Sequence, residues 1–271
     1  MLLIKLLLNN PQLGIHAKRY TNVQQYLTIV KFFIHYFLII IDYLFLGMTF
    51  DIIIVSDAYN NSNKTVTEEC VKSLLLNKLD AVEQKIIVVE KQETVNYENT
   101  LTLHYDFDFN YNKCLNYGLQ ESNAEFICLA NNDLIFHKDW QAGIIIGFSY
   151  GVGSLSPYCI RHHKNMFQMD SKIHTGYRTE HELAGWCICL TRETLNSIGK
   201  LNEAVSFWYS DNIYAEQLKR ENIKHGIVCN SFVTHLLSHT LNQRRPKDKH
   251  FLTREQKEKF NNEVIKLWNN G

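Results

Sequence analysis

The stretch Glu125–Phe136, EFICLANNDLIF, decides the fold that the sequence predicts. Its apolar run Phe126–Ala130 is long enough for one strand buried on both faces, which is typical of a parallel sheet. The polar residues Asn131–Asp133 interrupt the apolar run, and Leu134–Phe136 resumes it. Because ligands of open α/β sheets bind beyond the carboxyl ends of the strands, we expect these polar side chains at a ligand site. An ordinary turn is the alternative, since Asn and Asp favour turns.

Composition excludes several classes of protein. The chain has 271 residues, 45% hydrophobic and 21% charged, which suffices for one large domain or two small ones with a sizeable core. Its formal net charge is +0, so no overall field favours nucleic acid or an anionic membrane. The seven cysteines are scattered and include no pair of CxxC units, which argues against disulfides and zinc. We therefore expect reduced, buried thiols in a protein that faces the cytosol.

Residues 1–47 differ from the rest of the chain. Phe32–Leu46 is strongly apolar but contains His35 and Asp42, and residues 26–46 are about long enough to span a bilayer, which needs roughly 20 apolar residues. One interpretation is a membrane anchor with the remaining chain in the cytosol. The other is translation from an upstream start of a cytoplasmic protein, because Met48 directly precedes the first clear strand. We divide the chain into a hydrophobic extension (1–47), a main domain (48–242) and a basic, polar tail (243–271).

Beyond this extension, the pattern alternates strands with helices. Phe50–Val55 is an apolar strand, and Ser56–Lys64 is a polar, Asn-rich loop. Thr65 and Glu68 have the spacing of a capping box, which predicts that a helix starts there. Lys85–Val89 is the second strand. The β–α–β order predicts a right-handed crossover and a mostly parallel central sheet flanked by helices.

The second half of the chain contains a long polar stretch. His162–Glu182 has no periodicity, so we expect a long loop of the kind that is often functional. Ala184–Leu190 is the next predicted strand, and a helix is predicted from Asp211 to about Asn222. Neither GxGxxG nor GxxxxGK followed by Ser or Thr occurs, so dinucleotide and P-loop sites have no support.

The order of these segments resembles the family 2 glycosyltransferases, which have the GT-A fold. The resemblance covers about Phe50–Thr240, and it implies a single α/β domain of the GT-A type. The chain departs from the family pattern at Asp57, where a proline is usual, at Glu90, where an aspartate is usual, and at Asn131, the first position of the DxD motif. Four stretches, in order and spacing, carry the resemblance: IIIVSDAYN (Ile52–Asn60), KIIVVEKQ (Lys85–Gln92), FNYNKCLNYGLQESNAEFICLANNDLIF (Phe109–Phe136) and GWCICLTRETLNSIGKLNEAVSFWYSDNIYAEQL (Gly185–Leu218).

This resemblance implies an inverting, metal-dependent glycosyltransferase. Such an enzyme moves a sugar from a nucleotide-diphosphate donor, here expected to be UDP-linked, to a hydroxyl group of a glycan, protein or lipid acceptor. Because negative charge grows on the leaving diphosphate, Mn²⁺ or Mg²⁺ held by oxygen ligands can neutralise it. Asp133 is the predicted carboxylate ligand, and His235 is the family-like third ligand. For His235, a buried and hydrogen-bonded histidine is the alternative.

The nucleotide is expected at the ends of the first two strands. Tyr59 is a candidate for stacking on the base, with Asp57 or Asn60 hydrogen-bonded to the base and Glu90 accepting from base or ribose. Asn131 can coordinate or hydrogen-bond through its amide oxygen but brings no charge, so the metal site is expected to depend on the diphosphate itself. The alternatives are an ordinary loop aromatic at Tyr59 and a solvated strand-end charge at Glu90.

The acceptor hydroxyl needs a base as it attacks the anomeric carbon, and the resemblance makes Asp211 the candidate. A helix-start role is the alternative, in which the helix dipole would lower the pKa of Asp211 while burial would raise it. Trp186 and Trp208 are candidate platforms for a sugar face, with core packing as the alternative, and Asn116 is a candidate polar contact to the substrate. We expect folding to gather the metal ligands and this base around one pocket at an edge of the sheet.

Two other functions remain open. A GT-A-fold module that binds a nucleotide or glycan without catalysis is motivated by the neutral carboxamides of the NND sequence. A nucleotidyltransferase shares the architecture, but Ser56–Lys64 does not supply the Gly-, Lys- and Arg-rich loop that it would normally need. The basic run in the tail is either a solvated segment or a flexible cover over the donor phosphates that uses Arg244, Arg245 and Lys247.

Overall fold

In the part of the chain that the structure describes, a nine-stranded mixed sheet forms the centre of the fold. This computed structural model describes residues 47–170, 172–236 and 246–269. The strands are β1 (Met48–Ser56), β2 (Val82–Glu90), β3 (Leu101–His104), β4 (Phe126–Asn131), β5 (Leu134–Phe136), β6 (Ser154–Cys159), β7 (Ile173–Thr175), β8 (Cys187–Thr191) and β9 (His225–His235).

One half of this sheet is parallel, as the β–α–β pattern predicts. The strand order is β3-β2-β1-β4-β8-β6-β9-β5, and β7 pairs with β9. β1 is parallel to β2 and β4, and β2 is parallel to β3. β8 is antiparallel to β4 and β6, and β9 is parallel to β6 but antiparallel to β5 and β7. The order turns back between β1 and β4, and open α/β sheets bind ligands beyond the strand ends at such a point.

The central strands β1, β2 and β4 are buried on both faces, which explains their continuous apolar sequences. Ile53, Ile87 and Ile127, one from each strand, have no exposed area and belong to one hydrophobic cluster. Complete burial of such a side chain stabilises the fold by about 1.5–3 kcal/mol relative to exposure. The predicted strands of this region are therefore confirmed, and their burial supplies the physical reason.

Helices pack on the sheet and on one another. The helical tail contacts the main domain at two places. Phe260 stacks on Tyr209 with ring centroids 5.4 Å apart, and Nε1 of Trp268 donates to Oε2 of Glu216 at 3.0 Å. The helices of the described residues are α1 (Asn61–Leu76), α2 (Tyr111–Leu119), α3 (Trp140–Phe148), α4 (Ile160–His163), α5 (Arg192–Ile198), α6 (Ser210–Arg220) and α7 (Pro246–Asn269).

The first helix begins earlier than the capping-box pattern predicts. Its first residue is Asn61, and Oδ1 of Asn60 accepts a hydrogen bond from the backbone N–H of Asn63 at 2.9 Å. Asn60 is therefore the N-cap, and the predicted start at Thr65 is wrong because Asn caps a helix at least as well as Thr. The loop after β1 is correspondingly shorter than predicted.

The polar stretch His162–Glu182 contains more structure than the long loop that the sequence predicts. α4 ends at His163, within the stretch, and β7 pairs antiparallel with β9. The register places His174 opposite Ile227 and Thr175 opposite Gly226. This part of the chain is thereby attached to the strand that ends in His235.

Some predicted features lie outside the described residues. These are the apolar segment 26–46, Arg244 and Arg245, and the side chain of Lys247. Among the helices that the structure describes, none has the length and apolar character needed to cross a membrane.

The contact of α2 with the sheet generates a prediction. A Cβ atom on Gly118 would lie 2.6 Å from Cγ2 of Ile53 and 3.0 Å from Cγ2 of Val89. We expect Gly118→Ala to lower the free energy of unfolding by about 1–2 kcal/mol, because overpacking outweighs the better helix propensity of alanine. Urea denaturation measures the change, with exposed Glu69→Ala on α1 as a control that shifts it by less than about 0.5 kcal/mol. An unchanged free energy of unfolding for Gly118→Ala would contradict this packing.

Candidate active site

The pairing of β5 with β9 brings Asp133 and His235 together. Leu134 pairs with His235 in the strand register, and the backbone N–H of Leu236 donates to the carbonyl oxygen of Asp133 at 2.9 Å. Oδ1 of Asp133 and Nε2 of His235 consequently lie 3.3 Å apart. Both side chains are buried, with 5% and 8% of their residues' surfaces exposed. A carboxylate and an imidazole therefore face each other just beyond the end of β4.

Neither of these two atoms has a hydrogen-bond partner within the described part of the chain. Buried polar atoms without partners are uncommon in folded proteins, and each one calls for an explanation such as a bound ion or water. One carboxylate oxygen and one imidazole nitrogen are both suitable ligands for a divalent cation. The residues present therefore fit a metal ion, which would complete the interactions that both atoms lack.

Asn131 is oriented by a residue that sequence reasoning missed. The Tyr111 hydroxyl, on α2, donates to Oδ1 of Asn131 at 2.8 Å. The backbone N–H of Asn131 donates to the carbonyl oxygen of Trp186 at 2.9 Å. This bond fixes the direction of the amide group and uses one of the two lone pairs on its oxygen, so coordination by Asn131 stays a prediction. No local signal marks Tyr111, since its partner lies on a different element.

Asp211 is a partly buried carboxylate in the first turn of α6. Its Oδ1 accepts from the backbone N–H of Asn212 at 2.9 Å. Burial raises the pKa of the Asp211 carboxyl above its ordinary value, and backbone hydrogen bonds offset this only in part. Burial therefore has a larger effect on the pKa of Asp211 than the backbone hydrogen bonds at the start of α6 have. A Cβ atom on Gly185 would lie 2.6 Å from Oδ2 of Asp211, so this close approach requires glycine at position 185.

The three residues expected at one pocket are linked by contacts. Gly185 touches Asp211, and the next residue, Trp186, stacks on His235 with ring centroids 5.3 Å apart. Tyr111 lines a narrow cavity together with Asp211 and also bonds Asn131, in the turn that carries Asp133. The structure thus brings the candidate base and the candidate metal ligands to the same region.

Trp186 does not present a face to a sugar. Its indole stacks on His235 and also on His163, whose ring centroid lies 5.8 Å away. Only 9% of its surface is exposed. The platform expectation is therefore wrong for Trp186, because its indole is buried and packs on histidines from other elements. Trp208 is half-buried against Phe207, and its role as a platform stays a prediction.

The loop after β1 keeps two candidate nucleotide contacts, Tyr59 and Asn60, exposed. Tyr59 is 48% exposed, so its ring is accessible for stacking. Oδ1 of Asp57 accepts from Nε2 of Gln92 at 2.8 Å, while Oδ1 of Asn60 is used as the cap of α1. The cap uses only this oxygen, and the Nδ2 group of exposed Asn60 can still donate to a base, so the role of Asn60 stays a prediction. Asp57 keeps its second carboxylate oxygen, so its role stays a prediction.

Glu90 supports the nucleotide loop from inside the protein. It is fully buried, and its Oε1 accepts from the backbone N–H groups of Ala58 and Gln92, each at 2.9 Å. Its Oε2 accepts from the hydroxyl of Tyr97 at 2.7 Å. A contact from Glu90 to base or ribose is therefore wrong for this structure, since the carboxylate has no exposed area and its oxygens are already engaged.

Asn116 is likewise a structural residue. Its Nδ2 donates to the carbonyl oxygen of Leu201 and to Oε1 of Glu203, each at 2.8 Å, and its Oδ1 accepts from the backbone N–H of Leu201 at 3.0 Å. The predicted contact from Asn116 to a substrate is wrong, because this buried amide binds the segment that leads into α6.

Comparisons of the sequence with protein-family models and with curated proteins give no match. Comparison of the fold gives matches of high probability. Residues 1–349 of TarS from S. aureus match with a TM-score of 0.52 over 69% of this chain, at 15% sequence identity. The mannosyltransferase PcManGT from Pyrobaculum calidifontis, in complex with GDP-Man and Mn²⁺, matches with a TM-score of 0.58 over 80% of this chain, at 13% identity. The fold is that of the GT-A glycosyltransferases.

The match extends over only part of each neighbour. This chain spans 59% of the TarS fragment and 64% of the mannosyltransferase chain. The predicted α/β architecture of the GT-A type is confirmed at this level. At these sequence identities, the likeness concerns the fold, and chemistry has to be argued from the site.

The raised pKa of Asp211 generates a stability prediction. A group with a raised pKa binds its proton more tightly in the folded state, so its contribution to stability is lost as pH rises from the ordinary to the raised pKa. Asp211→Asn has no charge to bury and can retain the hydrogen bond from Asn212. We therefore expect Asp211→Asn to unfold with a higher free energy than wild type at neutral pH, and the difference to vanish below about pH 3.9.

Urea denaturation at both pH values measures this difference. The control is Glu193→Gln, which removes an exposed acidic group from the first turn of α5. Its loss should lower the free energy of unfolding by about 0.3–1 kcal/mol at neutral pH, because the helix dipole favours a negative charge there. A loss of stability in Asp211→Asn at neutral pH would instead assign Asp211 to the helix-start role.

Proposed function

We propose that this protein is an inverting, metal-dependent glycosyltransferase that uses a nucleotide-diphosphate sugar and an acceptor hydroxyl group. The observation that carries the proposal is the buried pair of Asp133 and His235, whose facing atoms have no hydrogen-bond partner among the described residues, and which Gly185 and Trp186 connect to the partly buried carboxylate of Asp211. The GT-A fold supports it, as do the structural neighbours. Membership of family 2 belongs to the same proposal and is supported by the four sequence stretches that resemble the family.

Asp133 and His235 are the residues that would hold the metal ion. When bound, a divalent cation supplies positive charge to the leaving diphosphate. Of the two candidate ions, the imidazole favours Mn²⁺, because Mg²⁺ prefers oxygen ligands and keeps several waters. The mannosyltransferase from P. calidifontis was solved with Mn²⁺, which supports the same choice. With one protein carboxylate at the site, the diphosphate is expected to contribute the remaining charge.

The donor nucleotide is proposed to lie along the loop after β1. Tyr59 is the exposed aromatic in this loop, and a base of either kind can stack on its ring. Our expectation of a UDP-linked donor therefore remains a proposal, beside a neighbour that binds GDP-Man. Glu90 would act indirectly, because its hydrogen bonds to Ala58 and Gln92 hold both strand ends in place.

Asp211 is proposed as the general base of a single displacement. The acceptor hydroxyl gives its proton to the Asp211 carboxylate as its oxygen forms a bond to the anomeric carbon. The bond from that carbon to the diphosphate breaks at the same time, and its electron pair leaves with the diphosphate. Attack from the opposite face inverts the anomeric centre. A raised pKa makes Asp211 a stronger base than an exposed aspartate, which supports this role.

A nucleotide-binding module without catalysis is the second candidate. The observation that favours it is that position 131 holds a neutral Asn, whose oxygen accepts from Tyr111, so that no second carboxylate is offered there. Such a module would bind the nucleoside diphosphate without help from a cation. Metal dependence of binding therefore separates the two functions.

Calorimetry tests the metal ligand. We expect Mn²⁺ to strengthen the binding of a nucleoside diphosphate to wild-type protein, and Asp133→Ala to weaken the Mn²⁺-dependent binding by at least about 10- to 100-fold, since changes around a metal ligand already have effects of this size. Exposed Asp80→Ala is the control and should bind as wild type does. Equal enhancement by Mn²⁺ in Asp133→Ala would remove Asp133 from the metal site. Binding to wild type without any Mn²⁺ effect would favour the non-catalytic module.

Transfer assays test the base. With a donor identified by screening nucleotide sugars for hydrolysis in Mn²⁺, we expect Asp211→Asn to bind the donor as wild type does and to lose transfer by about 10²- to 10⁴-fold, the usual contribution of general acid–base catalysis. Single-turnover measurements separate the chemical step from binding and release. Transfer by Asp211→Asn at the wild-type rate would rule out Asp211 as the base.

A further inference from the structure

A second cluster of potential metal ligands lies away from the candidate active site. It consists of Asp170, His174 on β7 and Cys229 on β9, whose ligand atoms all lie within 4.8 Å of one another. Oδ1 of Asp170 and Nε2 of His174 are 3.9 Å apart. We call these residues the Asp170–His174–Cys229 cluster.

Strand pairing creates the cluster. β7 and β9 are antiparallel, and His174 lies opposite Ile227. Because side chains alternate along a strand, Cys229 lies on the same face of β9 as Ile227 and therefore on the same face of the sheet as His174. The backbone N–H of Cys229 donates to the carbonyl oxygen of Lys172 at 3.4 Å, which ties β9 to the segment that carries Asp170.

His174 and Cys229 both have unused bonding capacity. Nε2 of His174 is buried and has no hydrogen-bond partner among the described residues. Cys229 is fully buried as a free thiol. The ring of Phe167 packs on His174 with centroids 5.0 Å apart and covers one side of the imidazole. An imidazole nitrogen without a partner, aimed at a thiol and a carboxylate, is the geometry expected of a metal site.

We propose that the Asp170–His174–Cys229 cluster binds Zn²⁺, with one carboxylate oxygen, Nε2 and Sγ as ligands and water in the fourth position. Zinc takes Cys, His and Asp ligands in tetrahedral geometry, with ligand atoms about 3.3–3.6 Å from one another. The cluster needs inward movements of about 1 Å or less to reach that spacing. On binding, the Cys229 thiol releases its proton to solvent and its sulfur bonds to zinc.

The ligands of this cluster also predict a metal preference that differs from that of the site at Asp133. A thiolate favours zinc over Mn²⁺ or Mg²⁺, so the two sites are expected to take different metals. A carboxylate and a thiolate together would neutralise the two charges of Zn²⁺. The ion would fasten the polar stretch between α4 and β8 to β9, the strand that ends in His235. Its expected effect is therefore to hold this stretch against β9.

Another cluster of potential metal ligands, in the core, consists of three cysteines and has no other type of ligand. Cys128, Cys187 and Cys189 lie within 4.8 Å of one another, and Sγ of Cys128 is 3.6 Å from Sγ of Cys187. All three are fully buried, and the group includes neither a carboxylate nor an imidazole. We interpret them as reduced thiols, which leaves Cys187→Ser as a matched control for Cys229→Ser.

Cobalt substitution tests the proposal on the full-length protein. A Co²⁺ ion bound to a thiolate absorbs in the near ultraviolet through sulfur-to-cobalt charge transfer, whereas a Co²⁺ ion at Asp133 and His235 does not. We expect one equivalent of Co²⁺ to produce this band and Zn²⁺ to displace it. Cys229→Ser should abolish the band and Cys187→Ser should retain it. Absence of the band in wild type, or its survival in Cys229→Ser, would overturn the proposal.

A second variant keeps the test decisive if Cys229→Ser does not fold. His174→Ala changes a partly exposed residue, and we expect it to weaken Zn²⁺ binding by at least about 100-fold in competition with a chromogenic chelator. Exposed His137→Ala is the control and should retain wild-type affinity. We also expect Zn²⁺ to raise the Tm of wild type but not that of His174→Ala. Equal zinc affinity in His174→Ala and wild type would place the ion elsewhere.

Discussion

The short antiparallel pairing of β5 with β9 is the constraint on which the candidate active site depends. β5 has only three residues, but Leu134 and Phe136 are buried and hold it against the end of β9. The pairing forces Asp133 and His235 to within 3.3 Å and leaves both atoms without a hydrogen-bond partner among the described residues. Packing of the surrounding sheet holds this carboxylate and imidazole in place, and we propose that a cation completes their interactions.

The carboxylates of Glu90 and Asp211 have different roles here because their surroundings differ. The Glu90 carboxylate accepts three hydrogen bonds, so its negative charge is compensated and it stabilises the loop after β1. The Asp211 side chain has fewer donors, and burial therefore raises its pKa. Since a raised pKa favours proton acceptance, the less compensated carboxylate is the one suited to chemistry. The two proposed metal sites also share a feature. Each contains a histidine nitrogen without a hydrogen-bond partner among the described residues, on His235 of β9 and on His174 of the neighbouring strand β7.

Sequence reasoning succeeded where local pattern and burial agree. β1, β2 and β4 are continuous apolar runs because both faces are covered, and a buried strand needs such a run. The start of α1 was missed because Asn60 and Thr65 are both competent caps, and the choice between them depends on the path of the chain out of β1. Asn116 and Trp186 were misinterpreted for another reason: their partners, Leu201, His163 and His235, come from distant elements.

By itself the sequence determined the layered α/β architecture and the position of the polar turn after β4, because periodicity and turn chemistry act over a few residues. It also identified Asp133, His235 and Asp211 as candidates, although only through resemblance to a family. The tertiary structure alone decided which polar groups are satisfied and which are not. The Glu90 carboxylate accepts hydrogen bonds from nearby donors. In contrast, Asp133, His235 and His174 each have a buried side-chain atom without a hydrogen-bond partner among the described residues. Hydrogen bonding of buried groups depends on atoms supplied by strands far apart in the sequence, and no local pattern contains that information.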